Sequence, residues 1–133
     1  MHKPTVKDGI EFFTPSDSEQ QVGVIRRRSG WGCEPHEHNK QNRTIFNTSE
    51  TLLICKGKLE FFLYSRHKPN SEPIVVFRGV AVEGDILILL SGGHGFNAVE
   101  DVEIIEVKTG PYYPTSDKTF LFQDQFAEGL ANG

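Results

Sequence analysis

Helix-favouring residues are scarce in this chain of 133 residues, which contains four alanines and one methionine. Valine, isoleucine, phenylalanine, tyrosine and tryptophan together number 33. Chains poor in alanine seldom form long helices, whereas β-branched and aromatic side chains fit the pleated surface of a sheet. A parallel sheet needs crossover helices of about a dozen residues, and no segment has that pattern. At about 100–200 residues per domain, we expect residues 1–133 to form a single all-β domain.

Cysteine is scarce, and long apolar runs and excess positive charge are missing. Two cysteines, Cys33 and Cys55, are too few for a disulfide framework, and free thiols are typical of the reducing cytoplasm. The longest aliphatic run, residues 86–90, is far shorter than a membrane span of about 20 residues, and the first residues contain no apolar run of signal-peptide length. The net charge is −4, which disfavours binding to phosphates. We therefore predict a cytoplasmic protein that binds neither membranes nor nucleic acids.

Short apolar segments separated by turn residues predict eight to ten strands. Eight of them are residues 9–13, 21–28, 51–55, 59–64, 74–77, 86–90, 94–99 and 102–108. The turn around Gly57 is predicted to join residues 51–55 and 59–64 as a hairpin, and residues 100–101 are predicted to join the last two strands in the same way. Short strands at this spacing favour a β-sandwich or a β-barrel.

Histidine and glutamate residues form the clearest chemical pattern in the sequence. His36 and His38 lie in a polar segment that we interpret as strand-like, and side chains two apart on a strand share one face. Glu50 begins the next strand, and His94 follows a Ser-Gly-Gly turn. Three imidazoles and one carboxylate suit a divalent first-row metal ion with open positions. The alternative is that the histidines are exposed loop residues and that the glutamate is simply solvated.

These residues and their flanking glycines resemble the two sequence motifs of the cupin superfamily. The first motif matches His36, His38 and Glu50, with a glycine at position 57. The second matches residues 84–94, which run from a glycine through an aliphatic strand to a Gly-Gly-His turn. Eleven residues separate His38 from Glu50 where three or four are usual, and the second motif lacks its usual proline. The resemblance covers about residues 20–110 and implies a double-stranded β-helix, that is, a jelly-roll barrel.

The cupin resemblance also implies a metal site and a class of ligand. The metal ion would be Mn, Fe, Ni or Zn, held by His36, His38, Glu50 and His94. A small polar molecule, either a sugar or an organic acid, would bind inside the barrel. The implied activity is that of a metal-dependent isomerase, epimerase or dioxygenase, with catalytic residues unassigned. The alternative is a non-catalytic module that binds or senses a small ligand.

Five further side chains are candidates for the substrate pocket. Strand alternation places Phe96 on the inner face, and Tyr64 has a hydroxyl group that needs a partner if it is buried. Glu106 and Lys108 share one face, where they either form an exposed ion pair or bind and protonate a substrate. Arg26 either clamps a carboxylate or phosphate, or protects an edge strand from aggregation. Ordinary core packing is the alternative for the two aromatic residues.

Two further expectations concern the cysteines and the N-terminal apolar cluster. The alternation of side chains turns Cys33 and Cys55 away from the predicted metal ligands, so we expect both to be packing residues. Ile10, Phe12 and Phe13 form an apolar cluster, and exposed aromatic clusters are uncommon on monomers. We therefore predict a homodimer that uses this cluster as its interface.

Overall fold

The computed structural model describes residues 8–122, and all regular structure in this range is β-strand. The strands are β1 (Gly9–Phe12), β2 (Gly23–Arg26), β3 (Glu50–Lys56), β4 (Lys58–Ser65), β5 (Ile74–Val82), β6 (Ile86–Leu89), β7 (Gly93–Ala98) and β8 (Glu103–Lys108). They form three antiparallel sheets: β1-β2, β6-β3-β8 and β5-β4-β7. The described range has no helix that could cross a membrane. The all-β prediction is thus confirmed at the level of strand content.

Strand β5 is longer than the segment that the sequence predicts. Residues 74–77 are predicted to form a strand, but the strand continues to Val82. Gly79 lies directly across from Phe61 on β4, and a Cβ atom on Gly79 would approach the Phe61 ring to 2.6 Å. The glycine therefore makes room for the ring within a continuous strand.

Both predicted hairpins are wrong. The strands on either side of Gly57 lie in different sheets, because β3 pairs with β6 and β8 while β4 pairs with β5 and β7. Gly57 has φ +83°, and a Cβ atom there would overlap the carbonyl oxygen of Asp101. Glycine is needed at this position because the backbone is left-handed and the Asp101 carbonyl group approaches closely. The segment between β3 and β4 is therefore a crossover from one sheet to the other and not a hairpin turn. Likewise β7 and β8 pair with β4 and β3 and not with each other.

The core lies between the inner faces of β3 and β4 and their neighbours. On β3, the alternate residues Glu50, Leu52 and Ile54 are buried, as a strand with one face on a core requires. The buried apolar residues are Leu52, Ile54, Leu59, Phe61, Ala81 and Leu87. Burying each of the larger aliphatic side chains contributes about 1.5–3 kcal/mol. The carboxylate of Glu50 therefore continues the row of core side chains at the first position of β3.

Residues 27–49 contain no strand, so the strand-like interpretation of residues 34–38 is wrong. The backbone of this segment pairs with no sheet, and strand alternation therefore does not determine where its side chains lie. The segment ends at Ser49, which is buried. The hydroxyl groups of Ser49 and Thr109 are 3.1 Å apart and share a hydrogen bond, which fixes the start of β3 against the end of β8.

Candidate functional site

Glu50 and His94 form a pair that joins two sheets. Glu50 is the first residue of β3 and is 8% exposed, and His94 is the second residue of β7. Glu50 Oε2 lies 2.9 Å from His94 Nε2. Because β3 and β7 belong to different sheets, the contact connects the two sheets at the position where β3 begins.

Oxygen atoms lie against both nitrogen atoms of the His94 ring. Nδ1 lies 3.3 Å from the carbonyl oxygen of Gly92. Nε2 lies against the Glu50 carboxylate at a distance at which the two groups share a hydrogen bond. A cation that binds both groups would replace the proton of this hydrogen bond.

A cavity of about 350 Å³ opens beside this pair. Its walls come from three segments that are distant in the sequence, and most of the side chains in those segments are polar. The lining residues are 46–48, Glu50, 91–93, His94, 117–119 and Leu121. A volume of this size lies at the lower end of the range for pockets that bind small molecules.

Backbone hydrogen bonds hold two of the cavity walls in place. The Glu19 carboxylate accepts hydrogen bonds from the backbone N–H groups of Phe46, at 2.8 Å, and Asn47, at 3.2 Å. After β8, the carbonyl oxygen of Tyr113 accepts from the N–H of Asp117 at 2.9 Å, which turns the chain. The segment that follows this turn reaches the cavity. Residues 46–48 and 117–119 lie outside the sheets, and these hydrogen bonds fix the backbone of both segments.

The histidine pair of the first motif lies apart from the cavity. His36 and His38 are exposed, with ring centres 5.1 Å apart, and neither lines the cavity. His36 Nδ1 lies 2.7 Å from the carbonyl oxygen of Glu34. Cys33 is exposed, and its Sγ lies 3.7 Å from His36 Nδ1, so the prediction that Cys33 packs inside and faces away from the histidines is wrong.

The structure thus joins two of the four predicted metal ligands. Glu50 and His94 are in contact, whereas His36 and His38 are exposed and do not line the cavity. Among residues 8–122, no three side chains of histidine, cysteine, aspartate or glutamate lie close enough together to hold a metal ion.

The two aromatic pocket candidates lie on opposite faces of their sheet. Phe96 shares the inner face with His94, and the centres of their rings are 5.4 Å apart. Tyr64 follows Leu63, the direct partner of His94 across β4 and β7, so it points to the other face. There its ring packs against Phe122, with ring centres 5.6 Å apart. Neither aromatic residue lines the cavity.

The three charged pocket candidates also lie outside the cavity lining. Lys108 is the direct partner of Glu50 across β3 and β8, but its Nζ lies 4.6 Å from the centre of the Tyr112 ring. Glu106, two residues earlier on the same edge strand, is exposed. Arg26 ends β2 in the separate two-stranded sheet and is exposed.

Asp117 and Lys118 line the cavity, and the sequence reasoning did not identify them as site residues. Within the range that the structure describes, neither side chain forms an ion pair. The sequence feature that could have indicated these two residues is the polar run after the last strand, between Pro114 and Phe120. Such a run predicts a loop, but the path of a loop depends on contacts that the sequence pattern does not reveal.

The chain was compared with protein-family models, with curated proteins and with solved structures, and none of the three comparisons gives a significant match. The function is therefore inferred from strand pairing, from the Glu50–His94 pair and from the cavity beside it. The cupin motifs remain a resemblance in sequence.

Proposed function

We propose that the chain forms a single cupin-type jelly-roll domain. The order of strand pairing supports this. β3 and β4 are the central strands of the two three-stranded sheets, β6 and β5 pair with them on one edge, and β8 and β7 on the other. Each successive pair of strands thus contributes one strand to each sheet. This is the order that a two-stranded ribbon produces when it coils into two facing sheets, as in a jelly roll.

The function that the site supports best is binding of a small polar molecule, a sugar or an organic acid, in the cavity beside Glu50 and His94. The observation that carries this proposal is the nearly buried carboxylate of Glu50, whose ion-pair partner is a histidine on the other sheet. A buried charged group costs free energy unless it is paired. A small-molecule pocket typically orients its ligand with a few polar groups of this kind.

A divalent transition metal ion, Mn, Fe, Ni or Zn, is the proposed cofactor of this site. The donor chemistry suits such an ion, because imidazole and carboxylate are common ligands of first-row metals. The ring orientation also suits it. In both His36 and His94, Nδ1 faces the carbonyl oxygen of the residue two positions earlier. Nε2 is then the ring nitrogen that can bind a metal ion. Glu50, His94, His36 and His38 would hold the ion.

For His36 and His38 to join the pair, the segment before β3 has to fold over the cavity. Eleven residues separate His38 from Glu50, and an extended chain spans about 3.3 Å per residue. The linking segment is therefore long enough for either histidine to reach His94. A bound metal ion would act as a Lewis acid or would activate oxygen. The proposed activity is that of an isomerase, an epimerase or a dioxygenase. The alternative is a non-catalytic module that binds or senses a small ligand.

Metal titration of purified protein tests the cofactor proposal. We expect elemental analysis to find one of the four metals, and we expect one of them to raise the unfolding temperature. A ligand at 100 times its Kd stabilises the native state by about 2.7 kcal/mol. Because the ion replaces the proton between Glu50 and His94, binding should also release about one proton. His94→Ala and Glu50→Gln should lose the stabilisation.

The matched control is His67→Ala, which removes an exposed histidine of the loop between β4 and β5 that does not line the cavity. This variant should respond to metal as the wild type does, and the double variant of His36 and His38 should respond less. The metal proposal would be wrong if the wild type contained no metal and none of the four raised its unfolding temperature. Turnover of a sugar or organic acid that is lost in His94→Ala would argue against the non-catalytic alternative.

We also propose that the protein is cytoplasmic and forms a homodimer through Ile10, Phe12 and Phe13, which are 49%, 58% and 44% exposed. These residues belong to or follow β1, whose two-stranded sheet pairs with no other sheet among residues 8–122. Light scattering at micromolar concentration should give the mass of a dimer, and Phe12→Ser should lower it. Val80→Ser on β5 removes a comparably exposed side chain as a control. A monomeric wild type would contradict the proposal.

A further inference from the structure

The cavity beside the Glu50–His94 pair carries two further charged groups. Glu50 and His94 already have a polar partner in each other, with 2.9 Å between Oε2 and Nε2. Asp117 and Lys118 line the same cavity, and within residues 8–122 neither takes part in an ion pair. The carboxylate of Asp117 and the ammonium group of Lys118 are therefore available to a molecule that enters the cavity.

We infer that Asp117 and Lys118 recognise the ligand of this cavity and that the ligand is a small hydroxylated carboxylic acid. The inference rests on the proposed function, because it specifies the chemistry of the same cavity. Lys118 supplies the one ammonium group among the described lining residues. An ammonium group forms charge-assisted hydrogen bonds with a carboxylate. The carboxylate of Asp117 accepts hydrogen bonds from hydroxyl groups, and the amide of Asn47 both donates and accepts.

The balance of charge in the cavity favours a monocarboxylate over a phosphate ester. Glu50 and Asp117 contribute two negative charges, and Lys118 contributes one positive charge. With the proposed divalent metal ion bound to a neutral His94 imidazole, the total is +1. A monocarboxylate would balance this charge, whereas a phosphate monoester, which carries about −1.5 to −2 at pH 7, would exceed it. No arginine is among the described lining residues, although its planar guanidinium is the side chain best suited to phosphate.

The size of the cavity suits a small acid. Its volume of about 350 Å³ lies at the lower end of the range for pockets that bind small molecules. A linear six-carbon hydroxy acid such as gluconate is a small ligand of this kind, and its hydroxyl groups match the polar walls at residues 46–48, 91 and 117–119.

Calorimetric titration with three matched compounds tests the inference. Gluconate and sorbitol differ only in the carboxylate, and sorbitol 6-phosphate presents a phosphate on the same open carbon chain. We expect gluconate to bind at least tenfold more tightly than sorbitol, in a buffer without carboxylate or phosphate. Lys118→Met should weaken gluconate binding at least tenfold and leave sorbitol binding unchanged, and Lys118→Arg should stay within threefold of the wild type. Asp117→Asn should weaken both compounds.

Lys68→Met is the control, because Lys68 lies in the exposed loop between β4 and β5, and this variant should bind gluconate as the wild type does. Equal affinity for gluconate and sorbitol, an unaffected Lys118→Met variant or tighter binding of sorbitol 6-phosphate would each overturn the inference. If sorbitol binds as tightly as gluconate and His94→Ala removes both, the cavity is still the ligand site and only the acid is wrong. If the wild type binds none of the three, the ligand-binding function is contradicted as well.

Discussion

Replacing Gly57 by alanine tests how the chain passes from one sheet to the other. Gly57 lies between β3 and β4 with φ +83°. The turn between β7 and β8 packs against it, since the N–H of Val99 donates to the carbonyl oxygen of Lys58 at 2.9 Å. Gly84 provides a matched control, because it has φ +85° and no heavy atom within 4 Å of where its Cβ would be. The two substitutions therefore share the backbone cost and differ in steric overlap.

The expected magnitudes follow from these surroundings. A left-handed backbone costs an alanine about 1–2 kcal/mol, partly offset by about 0.4–1 kcal/mol because alanine restricts the unfolded chain. Gly84→Ala should thus reduce the free energy of unfolding by about 1 kcal/mol. At Gly57 the new Cβ would overlap the Asp101 carbonyl oxygen and lie 3.2 Å from the Cα of Val102. These are backbone atoms, so relief requires the turn to move, at a further cost of about 1–3 kcal/mol.

Urea denaturation of the two variants measures the difference directly. We expect Gly57→Ala to lose about 2 kcal/mol more than Gly84→Ala, which corresponds to an additional fall of roughly 6–10 °C in unfolding temperature for a domain of this size. Equal losses in the two variants would refute the reasoning. In that case the backbone angle alone would matter, and the turn at residues 99–102 would not lie against the crossover.

Two further predictions concern packing and exposure. Ile54 is fully buried, so Ile54→Ala should cost about 2–5 kcal/mol and Ile54→Val about 0.5–1.5 kcal/mol in urea denaturation; a loss below about 1 kcal/mol for the alanine variant would place this residue outside the core. Cys33 is exposed and Cys55 is partly buried on β3, so a thiol reagent should modify Cys33 at least tenfold faster in the native protein. Serine variants of each cysteine assign the two rates, and the reverse order would contradict the structure.

Strand positions could be predicted from the sequence because side-chain alternation is a local property. Leu52 and Ile54 face the core as their spacing implies, and seven of the segments between turn residues became strands with shifts of a few residues at their ends. β5 differed more, because Gly79 accommodates the Phe61 ring across the sheet. Such a contact between distant residues leaves no trace in the local pattern.

Strand partners could not be predicted in the same way. A glycine with positive φ between two apolar segments is typical of a hairpin, and it is also what the crossover at Gly57 requires. The difference lies in contacts with the turn between β7 and β8, more than 40 residues later. Dependence on distant contacts also explains why only part of the candidate site could be predicted. Glu50 and His94 occupy strands, whereas His36, His38, Asp117 and Lys118 occupy segments whose paths depend on tertiary contacts.

The position of Glu50 on β3 is itself an argument for function. The inner face of this strand continues with Leu52 and Ile54, and packing alone would favour a third aliphatic side chain at its first position. Replacing a buried ion pair by well-packed apolar residues is often neutral or stabilising, whereas removing one partner of such a pair is strongly destabilising. Stability therefore does not explain why a carboxylate and an imidazole meet here, one from each sheet. The proposed binding of a cation or a polar ligand would explain it, because both residues line the adjoining cavity and carry groups that bind such a ligand.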